Sequence, residues 1–265
     1  LLGAGDGGPG SLDQWFGLPA AAAGAGMLAA GLMALVGLGD GRTLAIPPVV
    51  VGAVFASAGL VMRAAAFDPA VVLTTTLVLV VIAGSVFPWL ALGVTGTAVP
   101  QLYSTADVTA DPTEVDPVRV AVDARLAHDI LVAVSATVGL LLVLVAPLAV
   151  SLGVSGTLLA VVACLVVMLR TRQYRTGAEV LVGLVSGIAG LVVIAVALVW
   201  LHPGWRPATA VVLAIAGAAL LAMTLVPTTP SVRRGRAGDV AESVALLALL
   251  PLLVVATGIF TALRG

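Results

Sequence analysis

Side chains that could move a proton, hold a metal or attack an electrophile are few in this chain, and the densest group of acids lies in one stretch. Residues 95–128 carry Asp107, Asp111, Glu114, Asp116 and Asp123 against only Arg119 and Arg125. Carboxylates at that density are the one place where paired acid and base work is conceivable. Elsewhere the chemistry is scattered. His128 and His202 are far apart and fall in turns expected on opposite sides, so they cannot share a metal. Cys164 is the single cysteine, which rules out an intrachain disulfide, and its apolar surroundings mark it as packing. No HExxH, CxxC, Walker loop or GxSxG occurs. No catalytic residue, metal ligand, cofactor or nucleic-acid partner is expected.

The elements that must position these residues are dictated by composition. The chain is 61% hydrophobic and 9% charged over 265 residues, whereas roughly a quarter of a soluble protein is charged. Its apolar runs lack period-2 alternation, and backbone polar groups in lipid must be satisfied within the segment. The fold class is therefore all-α, a polytopic transmembrane helix bundle. Eight helices are expected, at about 19–38, 44–62, 69–94, 128–150, 153–169, 178–201, 207–226 and 239–263. Residues 1–18 read as an external loop or trimmed linker, since they have neither a cationic n-region nor a cleavable signal, and 19–265 as the transmembrane domain. The chain reads as a piece of a longer protein.

Local chemistry sharpens several boundaries. Pro47 and Pro48 suit the first turn of the second helix, where an absent N–H goes unmissed, and Asp68-Pro69 forms a cap for the third. Pro88 should kink the third helix or end its regular part, and Pro251 should bend the eighth. Asp116-Pro117 resembles another cap. With Arg119/Asp123 and Arg125/Asp129 spaced i, i+4, a helix should start in water near residue 117 and continue into the fourth span. Val118, Val122 and Leu126 give that extension one apolar stripe. Asp116, Arg119, Val122, Asp123, Arg125 and Leu126 are thus the candidate docking face for a partner.

In the first helix the run AAAAGAGMLAAG lets another backbone approach closely, and Gly183 and Gly187 form a GxxxG packing signal in the sixth. Arg170, Arg172 and Arg175, and likewise Arg233, Arg234 and Arg236 in an expected loop at 227–238, are candidate contacts for anionic lipid or an acidic partner.

Arginine placement tests the helix count, because cytoplasmic loops retain the excess of positive charge. With eight crossings and an external start, Arg42, Arg119, Arg125, Arg170, Arg172, Arg175, Arg233, Arg234 and Arg236 lie inside, and only Arg63, Arg206 and Arg264 outside. Removing the short fifth helix leaves five inside and seven outside, so the pattern favours eight. Both ends of the chain are then external and the 95–128 loop cytoplasmic.

No charged residue sits deep in an apolar run, although a coupled carrier usually keeps one at work there. Glu179, Asp239 and Glu242 fall at expected helix starts, where the helix dipole favours an acid. Serines and threonines inside the helices, such as Ser57, Thr74 to Thr76, Ser85, Ser135, Thr137 and Ser186, can bond to their own backbone or across helices. A small-molecule or lipid permease is the alternative reading, but it should show broken helices meeting at a polar midplane site. A membrane-embedded enzyme lacks its acids.

Four stretches, FPWLALGVTG at 87–96, DARLAHDILVAVSATVGLLL at 123–142, RTRQYRTGAEVLVGLVSGIAGLVV at 170–193 and LLALLPLLVVATGIFTALRG at 246–265, resemble the EccD family. This family is the polytopic membrane component of the mycobacterial type VII (ESX) secretion system. The resemblance implies eleven helices behind a cytosolic ubiquitin-like domain, of which this chain would hold the last eight. It also implies a non-enzymatic scaffold that pairs with a second copy of itself. Its further partners would be EccB, the EccC ATPase, EccE and membrane lipid. Such a protein resides in the plasma membrane.

Overall fold

The computed structural model describes residues 18–37, 42–65, 67–94, 117–174, 176–225 and 232–258. Of residues 42, 86–94, 117–121, 123, 126, 220, 223–225 and 232–234 it describes the backbone alone. Among the described residues there are eight α-helices and no strand: α1 (Leu18–Gly37), α2 (Ile46–Ala65), α3 (Pro69–Val94), α4 (Pro117–Ser151), α5 (Val154–Arg170), α6 (Gly177–Leu201), α7 (Arg206–Leu225) and α8 (Val232–Ala256). Short 3-10 turns precede α2, follow α5 and link α6 to α7. Within the described residues six stretches are long and apolar enough to cross a membrane, on α1, α2, α4, α5, α6 and α8.

The boundaries follow local rules. Pro47 and Pro48 occupy the first turn of α2, and the Asp68 carboxylate accepts the Ala70 N–H at 2.7 Å to cap α3. Helix α3 spans the expected residues and runs on through Pro88 to Val94. The extension and fourth span are one helix, α4, of 35 residues. At 1.5 Å per residue that is about 52 Å, well beyond a ~30 Å hydrocarbon core, so one end must project from it. Arg125 and Asp129 form no ion pair, since the single ion pair among the described residues is His128 with Glu179.

Gly153, at φ 87, makes the turn from α4 to α5 in a left-handed conformation that a side chain disfavours. Two expectations at the C-terminal end are corrected. The loop at 227–238 is shortened because α8 begins at Val232, which puts Arg233, Arg234 and Arg236 on its opening turns. Helix α8 also ends at Ala256 rather than Leu263. Gly258, at φ 68, leaves the helix in the left-handed region.

Helix α4 is the hub. It packs against α2, α3, α5 and α6, while α8 lies along α5 and reaches α3. The core runs through Leu73, Leu77, Leu141, Leu142, Leu159 and Leu249, all nearly inaccessible. Helices α1 and α2 form a hairpin attached to this hub through α2. Among the described residues helix α7 packs chiefly on α6 and the turn before itself, and Val211, Val212, Leu213 and Ile215 are exposed.

Candidate functional site

Polar side chains that the sequence scatters over more than a hundred residues meet at one end of the bundle, where α4, α5, α6 and α8 converge. Thr176 caps α6 by accepting the Glu179 N–H at 3.4 Å. Glu179 therefore does sit in a first turn, as its helix-start reading requires. Its carboxylate does more than face the dipole, however. Oε1 accepts from His128 Nδ1 on α4 at 2.7 Å, and Thr176 Oγ1 lies 3.3 Å from the same nitrogen. The glutamate is buried while the imidazole is 34% exposed, so the bond runs from the bundle interior to its rim.

Two turns further along α4, Ser135 Oγ and Tyr174 Oη are 3.0 Å apart. Gln173 Nε2 donates to Glu242 Oε2 on α8 at 2.8 Å, and Arg172 Nη2 donates to the Gly235 carbonyl at 2.9 Å. Glu242 is buried well inside α8 rather than at its start, because the helix begins ten residues earlier. A Cβ on Gly238 would collide with the Arg172 guanidinium, so that glycine lets the arginine lie over α8. Hydrogen bonds to charged groups contribute ~1.5–3 kcal/mol in soluble proteins, whereas interhelical ones in membranes average ~0.6. Each of these bonds therefore sets register more than it supplies stability.

Arg170, the last residue of α5, is only 8% exposed. It faces a narrow cavity rather than the outer surface, and a Cβ on Gly84 of α3 would stand 3.8 Å from its Nη1. Arg172 is exposed and engaged with α8, and Arg236 is exposed. Arg175 lies outside the described residues, as do the side chains of Arg233 and Arg234. The docking face is only partly visible. Val122 is 59% exposed and Arg125 is exposed on the projecting part of α4, while Asp116 and the side chains of Arg119, Asp123 and Leu126 fall outside the described residues.

Gly183 and Gly187 face α5. A Cβ on Gly183 would come within 2.6 Å of Thr171 Cγ2, and one on Gly187 would strike the Met168 side chain. Gly190 continues the stripe against Cys164, where a Cβ would stand 2.7 Å from Sγ. Bare backbone on α6 is thus what brings Tyr174 and Thr171 over the α4–α6 seam.

His202 caps the far end of α6 and stacks on Trp205 with ring centroids 4.7 Å apart. It is separated from His128 by the full length of α6, roughly 35 Å at 1.5 Å per residue. Among the described residues no group of three or more His, Cys, Asp or Glu side chains could hold a metal.

Sequence reasoning missed the cluster itself. Ser135, Gln173, Tyr174 and Glu242 were not singled out together. The available signal was their shared layer: the helix alternation puts residues 128, 173, 174, 179 and 242 near the same end.

Bundle and cluster together define a multi-pass helical membrane protein in which one cluster of polar side chains bonds across helices, while hydroxyls elsewhere return to their own helix backbone. The chain belongs to the EccD family: the model of the EccD-like transmembrane domain matches residues 1–265. Among solved structures it is similar to protomer 1 of the ESX-3 core complex, with a TM-score of 0.67 and 18% identity over 97% of this chain. It spans 59% of that protomer's length. No curated protein matches it.

Proposed function

We propose that this chain is a non-catalytic membrane scaffold subunit of a type VII (ESX) protein secretion complex, pairing with a second copy of itself and holding other membrane components. The observation that carries this reading is the EccD-like transmembrane domain, which extends over the whole chain. The chemistry is in keeping with it. Glu179 and Glu242 are each committed to a partner on a neighbouring helix, whereas a permease would present such groups to a shared aqueous path at the midplane. The proposed location is the plasma membrane, with the 95–128 loop and the polar cluster on the cytoplasmic side and both ends of the stretch outside. The projecting start of α4, with Val122 and Arg125 on its surface, serves as a docking face for cytosolic parts of the same machine. EccB, the EccC ATPase, EccE and lipid are the proposed neighbours.

Mild-detergent extraction of the tagged full-length protein, followed by sizing and identification of co-purifying chains, tests the reading. A large assembly containing a second copy is expected. Recovery only as a lone monomer rules the scaffold out. Charge reversal at Arg119 and Arg125 together should weaken assembly while membrane insertion stays normal; unchanged assembly would confine both residues to local helix support.

A further inference from the structure

We infer that Arg170 and the cavity it lines form a binding site for a single small monovalent anion, with chloride as the occupant of matching size and charge. The guanidinium belongs to a residue 92% withdrawn from solvent, by its exposure of 8%. Among the described residues it has neither an ion-pair nor a hydrogen-bonding partner. An arginine cannot shed its charge by deprotonation, and an unpaired ion in a low-dielectric interior is costly, so the site needs a counter-charge. The buried acids of the cluster do not supply it, since Glu179 is bonded to His128 and Glu242 to Gln173.

What lines the cavity selects the ligand. Around Arg170 stand Val81, Gly84, Ser135, Tyr174 and Gly183, and among the described residues the lining contains no carboxylate. Ser135 Oγ and Tyr174 Oη are 3.0 Å apart, so one hydroxyl donates to the other and the second O–H remains for the cavity. Donors are in excess: guanidinium N–H groups plus a hydroxyl, with apolar walls elsewhere. The cavity measures ≈ 20 Å³, space for one water-sized occupant. A phosphodiester headgroup or sulfate is too large for it. Water fits by volume but leaves the charge unbalanced, whereas a monatomic anion satisfies both volume and charge. Such an ion would bridge α3, α4, α5 and the start of α6. This inference does not depend on the scaffold reading.

The test uses the full-length protein in detergent at constant ionic strength, with chloride exchanged for gluconate. Two signals are read: the thermal unfolding midpoint by tryptophan fluorescence, and the excess chloride-35 NMR linewidth. The midpoint should rise saturably with chloride or bromide, and the linewidth should exceed that of protein-free buffer. Arg170→Gln should abolish both effects. The double variant Ser135→Ala/Tyr174→Phe, which leaves no hydroxyl for the cavity, should fold and raise the half-saturating chloride concentration several-fold. A wild-type midpoint and linewidth indifferent to chloride would mean water alone and overturn the proposal. Wild-type chloride dependence in Arg170→Gln would overturn it by placing the ion elsewhere. If Arg170→Gln does not fold, the double hydroxyl variant decides, and unchanged half-saturation in it overturns the site.

Discussion

The α1–α2 hairpin and the convergent end of α4, α5, α6 and α8 hold helices together by opposite means. In the hairpin, backbone meets backbone. A Cβ on Gly24 would stand 2.8 Å from the Gly52 carbonyl oxygen, and one on Gly59 would stand 2.7 Å from Ala21 Cβ. Among the described residues no side-chain hydrogen bond joins the two helices. At the convergent end, His128–Glu179, Ser135–Tyr174, Gln173–Glu242 and Arg172–Gly235 all cross between elements. Apolar burial gives helices in lipid no net drive to associate, so dispersion at close approach and interhelical hydrogen bonds remain. The hairpin relies on the first and tolerates sliding along its smooth groove. The cluster relies on the second and fixes register, because a hydrogen bond fails within an ångström of misplacement.

The largest effect should come from filling the smooth groove. At Gly52 a Cβ would lie 2.7 Å from the Gly24 carbonyl oxygen, and the clash is with backbone rather than with a side chain able to swing away. Gly52→Leu should therefore cost about 3 kcal/mol, the upper part of the range for overpacking. A fall in the unfolding midpoint of the full-length protein and loss of crosslinking between cysteines placed on α1 and α2 would register it. A variant with unchanged crosslinking would show that the hairpin does not depend on bare backbone.

Breaking the cluster from one side should come next. Glu179→Leu removes the carboxylate acceptor of His128 and leaves it only the more distant Thr176 hydroxyl in a partly buried position, at a cost of about 1–3 kcal/mol. Replacing both partners by leucine should recover much of that loss, since the penalty lies in the unpaired group rather than in the pair. Equal destabilisation by the single and double variants would show that the bond itself, not the orphaned partner, carries the cost.

The two regions also differ in how far the sequence disclosed them. The run of alanine and glycine in α1 announced close approach, and the eight helices followed from apolar length, proline placement and the arginine alternation. Those signals are local or periodic. The cluster is neither, since each of its bonds joins residues from 39 to 69 positions apart. Glu242 illustrates the difficulty. Its helix-start reading rested on a loop extending to residue 238, but α8 begins at Val232, and the extra turns carry the glutamate inward to Gln173. Arg170 belongs to a basic run that composition alone assigns to headgroups, yet as the last residue of α5 it turns into the core.

Removing one hydroxyl from the cluster is a gentler intervention. Tyr174→Phe keeps the ring beside Gly183 and deletes only the bond to Ser135, so about 0.6 kcal/mol is expected and no more than about 1.7. A thermal midpoint shift much smaller than that of Glu179→Leu would rank the neutral bond below the charged one. A larger shift would make the tyrosine the keystone of the cluster.

A substitution at Thr74 should have the opposite sign. Thr75 and Thr76 on α3 return their hydroxyls to the Val71 and Val72 carbonyls at 2.7 and 2.8 Å, but Thr74 Oγ1 is fully buried and has no partner among the described residues. Polar atoms in the cluster hold helices together because they are paired, whereas this one bears only the desolvation penalty. Thr74→Val nearly preserves shape and removes that penalty, so the midpoint should rise by the equivalent of about 1 kcal/mol. A fall instead would mean that the Thr74 hydroxyl is paired inside the bundle, as those of Thr75 and Thr76 are, and bears no desolvation penalty.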